Sequence, residues 1–86
     1  MEAVRLVRFS GPADQAAVAL DALAGLGLAA APMASRGDPA DSWIEVRLPL
    51  SSGAGDIDQV LESTVRMLGR AQTDYRLREH VTVVER

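Results

Sequence analysis

The sequence contains no cysteine, no lysine and no asparagine, and only three of its 86 residues are aromatic. Without cysteine, neither a disulfide nor a thiolate-bound metal can stabilise the chain. With so few aromatic residues, alanine and branched aliphatic residues must fill the core, and the 48% hydrophobic content is enough for that. A chain of this length buries only about 60–65% of its unfolded surface, so oligomerisation is a further route to stability.

The charge pattern argues against several classes of partner. All nine basic residues are arginine, which, together with abundant alanine, we interpret as the coding bias of a GC-rich genome. The net charge of −3 provides no general attraction to nucleic acid or to anionic membranes. The most apolar stretch, Leu20–Met33, is interrupted by Asp21 and Pro32 and is shorter than the ~20 residues of a membrane helix. We therefore expect one cytoplasmic domain, residues 1–86, with no nucleic-acid or membrane partner.

The first half of the chain predicts a strand, a helix and a second strand. Aliphatic residues dominate Ala3–Phe9, but their alternation slips once, so either set of alternate residues could face the core. A helix is predicted from Pro12 to about Ala24, where Gly25 and Gly27 end it. The segment 28–35 contains a proline, which lacks a backbone donor, so as a strand it belongs at a sheet edge.

The second half repeats this order after a turn at residues 35–41. Ser42–Leu50 alternates regularly and predicts a strand with one buried face. After a flexible link at residues 51–55, an amphipathic helix is predicted to end at Gly69. Tyr75–Val84 predicts the last strand, with Tyr75, Leu77, Val81 and Val83 in phase. Glu79 interrupts that apolar face, which indicates a bulge or bend near residues 78–80.

These elements together predict an α+β fold of the ferredoxin-like type. The order βαββαβ, with two amphipathic helices and a half-buried strand, fits a four-stranded antiparallel sheet with both helices on one face. The second strand is then at an edge, as its proline requires. We expect the aliphatic face of the third strand to pack on the helices through Ile44, Val46, Leu48, Leu20, Leu23, Val60, Leu61 and Leu68.

Catalytic and metal-binding chemistry has little support in the sequence. His80 is the only histidine, and we interpret it as a solvated side chain because no spacing around it resembles a ligand set. No cofactor, metal site or catalytic residue is predicted. The turn containing Ser10, Gly11 and Asp14 could hold a small anionic ligand through backbone donors at a helix start. A plain strand-to-helix turn is the better explanation, because a single glycine with Asp14 close by makes a poor phosphate cradle.

The sheet face away from the helices is the most informative surface. If Ile44 and Val46 point inward, their neighbours on the third strand point outward, and arginines of the last strand join them. A tryptophan on an uncovered face favours a protein interface, and residues of opposite charge two positions apart can satisfy each other across a two-fold axis. The predicted interface is Trp43, Glu45, Arg47, Arg76 and Arg78, and His80 could add to it.

One family resemblance is visible between Val4 and Ser35. An aliphatic strand, the turn Gly11-Pro12-Ala13-Asp14, a helix ending in Leu23-Ala24-Gly25-Leu26, and Gly27-Leu28 entering a second strand together resemble the ACT domain. That family's turn has Asp before Pro-Gly, whereas here Asp14 follows the proline. The resemblance implies a regulatory module that pairs with itself and, in that family, binds amino acids at the dimer interface.

Three functions remain open on the sequence alone. The first is a non-enzymatic regulatory or assembly module that forms a homodimer through the open sheet face and could also bind another protein. The second is an ACT-like sensor that binds an amino acid or other small molecule at Ser10, Gly11 and Asp14. The third is a small enzyme of the dimeric α+β barrel type, in which His80 or Tyr75 transfers a proton in a pocket between sheet and helices.

Overall fold

The structure is a computed structural model that describes residues 2–34, 37, 41–49 and 54–85. Strand β1 is Glu2–Pro12, and a 3-10 turn, Ala13–Gln15, leads into helix α1, Ala16–Gly25. Strands β2, Ala29–Met33, and β3, Asp41–Pro49, follow. Helix α2 is Ala54–Arg70 and strand β4 is Arg76–Glu85. The turn predicted at 35–41 lies outside the described residues except for Gly37 and Asp41, and residues 51–53 of the predicted link also lie outside them.

The four strands form one antiparallel sheet in the order β2-β3-β1-β4. This is the predicted ferredoxin-like arrangement, in which β1 and β3 occupy the centre. Among the strands that the structure describes, β2 pairs with β3 alone, and Pro32 lies opposite Ile44 at that edge. The predicted edge position of the proline is confirmed, because an edge strand can spare one backbone donor.

The core lies between the sheet and both helices. Val7 and Phe9 of β1 lie opposite Val46 and Ile44 of β3, and all four are almost fully buried. The helices cover this patch with Ala19, Leu23 and Leu68, while Leu20, Val60 and Leu61 pack at its border. The predicted packing of β3 on the helices is confirmed. The same contacts show that both helices lie on one face of the sheet.

Strand β1 continues further than the sequence pattern indicated. The predicted helix start at Pro12 is wrong, because β1 pairs with β3 as far as Pro12 and the α-helix begins only at Ala16. The Gln15 side chain fixes this junction to the start of β4. Its amide nitrogen donates to Oδ2 of Asp74 at 3.1 Å, and its oxygen accepts from the Asp74 backbone N–H at 2.7 Å.

The two helices end in similar turns with different residues. After α1, Gly27 has φ +75°, and backbone N–H groups of the turn donate to the carbonyls of Leu23 and Ala24. This ending was predicted. After α2, Gln72 takes the left-handed position with φ +61°, and Thr73 donates its backbone N–H to the carbonyl of Leu68. The prediction that Gly69 ends α2 is therefore wrong.

Strand β4 contains the bulge that the sequence indicated. Glu79 lies opposite Arg8, but Leu77 lies opposite Phe9, so Arg78 is an extra residue in the ladder. One extra residue reverses which face each following side chain occupies. The prediction that Leu77, Val81 and Val83 share one face is wrong for this reason: Leu77 lies on the helix side, and Val81 and Val83 lie on the opposite side.

Candidate functional site

The face of the sheet opposite the helices is called the open face here. Because directly paired residues of an antiparallel sheet share a face, the register resolves the ambiguity left by β1: Val4, Leu6, Arg8 and Ser10 lie on the open face. All five predicted interface residues lie there too. His80 does not, because it pairs with Val7 on the helix side. The open face comprises Ala29, Ala31, Met33, Val4, Leu6, Arg8, Ser10, Trp43, Glu45, Arg47, Arg76, Arg78, Glu79, Val81 and Val83.

Arg8 lies at the centre of the open face between two glutamates. Its Nε donates to Glu45 on β3 at 3.0 Å, and its Nη1 donates to Glu79 on β4 at 3.0 Å. The hydrogen bond to Glu79, followed by that to Glu45, raises the pKa of Arg8 above its ordinary value. The three residues form one row across the three strands. This row ties β1 to both of its neighbours through charged side chains.

Trp43 lies on the open face but has little exposed surface. Only 8% of the residue is accessible, and the guanidinium carbon of Arg78 lies 6.0 Å from the centroid of its ring. This distance and the aromatic partner are typical of a cation–π contact. The bulge at Arg78 therefore brings a cation over the aromatic ring. Arg76 lies in the same cross-strand row, on the other side of Ser10.

The opposite end of the open face is apolar. Leu6 pairs with Val81, and Val4 pairs with Val83, so two neighbouring rows carry aliphatic side chains. Val4 is buried and Leu6 partly buried, whereas Val81 and Val83 are 39% and 36% exposed. Val81 and Val83 are not among the interface residues predicted from the sequence. Glu79 already indicated a bulge in the sequence, and a bulge reverses the face on which each later side chain of the strand lies.

The residues predicted for a ligand-binding turn do not share a surface. Ser10 is buried on the open face beside Trp43, whereas position 11 faces the other way, toward the Tyr75 ring. Asp14 is exposed in the 3-10 turn. Pro12 offers its carbonyl to the Tyr75 hydroxyl, which donates to it at 3.1 Å. The structure thus brings Gly11 and Pro12 against Tyr75 and leaves Asp14 apart.

The two residues suggested for proton transfer are also separated. Tyr75 is buried and hydrogen-bonded at the end of β1, next to the start of β4. His80 is exposed further along β4, and its Nδ1 lies 2.8 Å from Nη1 of Arg5. A groove of about 450 Å³ is lined by Leu26, Leu28, Gln59, Val60 and Ser63, none of which is titratable near neutral pH. Neither Tyr75 nor His80 lines this groove, so it does not bring either of the two residues suggested for proton transfer to a ligand.

The described residues were compared with the requirements of a metal site and of a membrane-spanning helix. Within residues 2–34, 37, 41–49 and 54–85, no group of three His, Asp or Glu side chains is placed to hold a metal ion. Among the helices that the structure describes, none is long and apolar enough to cross a membrane.

Comparison with known proteins shows the fold. None of the protein-family models or curated proteins compared with the chain matches it. A de novo designed protein, Foldit4, is similar over 100% of both chains, with a TM-score of 0.61 and 14% identity. CPII from Thiomonas intermedia K12, solved with ADP, AMP and acetate, is similar over 96% of this chain and 90% of its own, with a TM-score of 0.54 and 8% identity.

A third structure, a putative PII-like signalling protein of Thermus thermophilus, is similar over 95% of this chain and 89% of its own, with a TM-score of 0.43 and 18% identity. The similarity to Foldit4 and CPII defines a ferredoxin-like α+β fold. A designed protein and a natural ligand-bound protein share this fold with the chain, so the fold alone does not specify a function.

Proposed function

We propose that the protein is a non-enzymatic regulatory or assembly module that forms a homodimer through its open face. The observation that carries the proposal is the reversal of β4 at Arg78, which turns Val81 and Val83 onto a face that neither helix covers. Exposed aliphatic side chains beside the partly buried Leu6 form a contiguous apolar patch. Burying this patch between two copies would add apolar contact that a small core lacks.

The charged part of the open face favours a second copy as the occupant. The row Glu45–Arg8–Glu79 is already internally paired, so it can be covered without leaving an isolated charge. Arg47 is exposed beside the apolar rows. Arg76 and Arg78 lie at the other end of the open face, near Ser10 and Trp43. A two-fold interface uses the same residues twice, and arginine stems can cover apolar surface around its centre.

Trp43, which the sequence predicts as an interface residue, takes an indirect role in this proposal. With 8% of its surface exposed beneath Arg78, it has little area left to offer a partner. It instead supports Arg78 from below, so the arginine presents its guanidinium on the open face. The contact area of the dimer then comes chiefly from Leu6, Val81 and Val83.

Sedimentation velocity at tens of micromolar protein tests the proposal. The wild type should sediment as a dimer, and Val81→Glu or Val83→Glu should give a folded monomer, because a carboxylate in the apolar patch would lose its hydration on pairing. Val84→Glu is the matched control, since Val84 is 56% exposed on the same strand but pairs with Ala3 on the helix side. A wild type that stays monomeric, or equal dissociation by Val84→Glu, contradicts the open-face dimer.

A second proposal is a small-ligand sensor of the kind that the ACT resemblance implies. Its support is that CPII, which has the same fold, was solved with ADP, AMP and acetate. A ligand that binds only the native state raises thermal stability. Thermal unfolding with amino acids, ADP, AMP and acetate should therefore give a saturable increase in Tm for at least one of them. No increase with any of these ligands would contradict this second proposal and leave the dimer untouched.

A further inference from the structure

Arg5 lies on the helix side of the sheet, near the start of β1. It pairs across the strands with Leu48 on β3 and Thr82 on β4, while His80 lies two pairs further along, opposite Val7 and on the same face. Nη1 of Arg5 is 2.8 Å from Nδ1 of His80. Since arginine can only donate, Nδ1 of the imidazole is the acceptor in this contact. The histidine therefore holds one branch of the guanidinium in place.

The guanidinium of Arg5 has an N–H donor that makes no hydrogen bond. Its Nε is buried without a hydrogen-bond partner, and no carboxylate in the described part of the chain pairs with it. Arg8, on the other face of the same strand, is engaged by two glutamates. A partly buried guanidinium is normally paired with an anion, because leaving its donors unsatisfied costs free energy. Arg5 thus offers the N–H donors of an ion pair, but the described residues do not supply the carboxylate that would accept from them.

Thr82 adds a hydroxyl to the same place. Side chains directly opposite each other in an antiparallel pair have Cβ atoms about 4.5–5.5 Å apart, and Thr82 is exposed opposite Arg5. A planar guanidinium fork with an adjacent hydroxyl suits the oxygens of a phosphate or a carboxylate. We propose that Arg5 and Thr82 bind a small oxyanion on the helix side of the β1–β4 pair, with His80 positioning the guanidinium.

Binding would satisfy the donors that the structure leaves open. With Nη1 held by His80, Nε and Nη2 form the remaining edge of the guanidinium, to which an anion would bring two oxygens, and the Thr82 hydroxyl would donate to one of them. This site is independent of the proposed dimer, because Arg5, His80 and Thr82 lie on the sheet face opposite Val81 and Val83.

The test is an NMR titration with sodium phosphate and, separately, sodium acetate, at fixed pH and with ionic strength held constant by sodium chloride. Because His80 is the only histidine, its ring protons report on the site without overlap. We expect saturable shifts of these protons and of the Arg5 Nε–H with at least one anion. Arg5→Gln should abolish them. Arg70→Gln, the same charge change at an exposed position at the end of α2, should leave them unchanged.

Thr82→Val tests the proposed anion site without changing Arg5. Thr82 is exposed and valine has nearly the same shape, so the fold should survive, and the phosphate or acetate dissociation constant should rise several-fold. Saturation by phosphate alone or by acetate alone assigns the anion class. The proposal is overturned if the shifts grow linearly with both anions. It is overturned equally if the Arg5→Gln variant titrates like the wild type while its amide NMR spectrum shows that it is folded. Binding by Thr82→Val as tight as that of the wild type would also overturn it.

Discussion

The Tyr75 side chain occupies the space that any side chain on Gly11 would need. A Cβ atom at position 11 would lie 2.7 Å from Cδ1 of Tyr75 and 2.9 Å from its Cα. The second distance involves backbone, so a rotation of the ring alone cannot relieve it. The hydroxyl of Tyr75 also donates to the carbonyl of Pro12. Glycine at position 11 therefore permits the close approach of β1 to the segment that enters β4.

Gly11→Ala should destabilise the protein by about 1–3 kcal/mol, the usual range for overpacking a tight site. Gly25→Ala is the control, because nothing lies within 4 Å of a Cβ there and alanine favours the helix. That variant should be neutral or more stable. Urea unfolding followed by circular dichroism measures both. Equal stability of Gly11→Ala and the wild type would show that the contact with Tyr75 is looser than the structure indicates.

Gln72→Gly should stabilise the protein by about 0.5–1 kcal/mol, because glycine adopts the left-handed conformation without the Cβ penalty. Gln72 has φ +61° in the turn after α2. Gln72→Ala keeps that penalty and is the matched control, so it should leave the unfolding midpoint nearly unchanged. If alanine raised the midpoint as much as glycine does, the gain would come from losing the glutamine side chain and not from the backbone.

Val46→Ala should lower the free energy of unfolding by about 1–3 kcal/mol through lost burial and a residual cavity. Val46 is almost fully buried between the helices and the sheet. Val65→Ala removes the same atoms from a half-exposed position on α2, where alanine has the better helix propensity. Chemical denaturation should place this control within about 0.5 kcal/mol of the wild type. Similar losses for both variants would contradict the assigned core.

Arg8→Met should lower the thermal midpoint more than Arg66→Met. Removing Arg8 leaves the carboxylates of Glu45 and Glu79 facing each other across β1, with neither neutralised by the central cation. Arg66 makes a single exposed ion pair with Glu62 along α2, a type of pair worth about 0.3–0.5 kcal/mol. Adding Glu45→Gln and Glu79→Gln to Arg8→Met should recover part of the loss. No recovery would mean that the arginine acts by packing and not by charge.

The pattern of the sequence was sufficient for the order of the elements and for the composition of the core. The alternation from Ser42 onward follows the pleat of a strand buried on one side, so Ile44, Val46 and Leu48 could be assigned to the core from period alone. Pro32 located β2 at the edge for an equally local reason. Both features depend on the residues of a single segment, so the sequence of that segment was enough to predict them.

Tertiary structure decided which side chains of β1, and which at the end of β4, lie on the helix side of the sheet. Both alternations of β1 were chemically acceptable, and the pairing of Val7 with Val46 selected one of them because it joins the apolar faces under the helices. On β4 the sequence indicated a bulge, but its consequence for Val81 and Val83 depends on which residue is left unpaired. That choice follows from how Arg8 and Phe9 align with Glu79 and Leu77, and Arg8 and Glu79 are 71 residues apart in the chain.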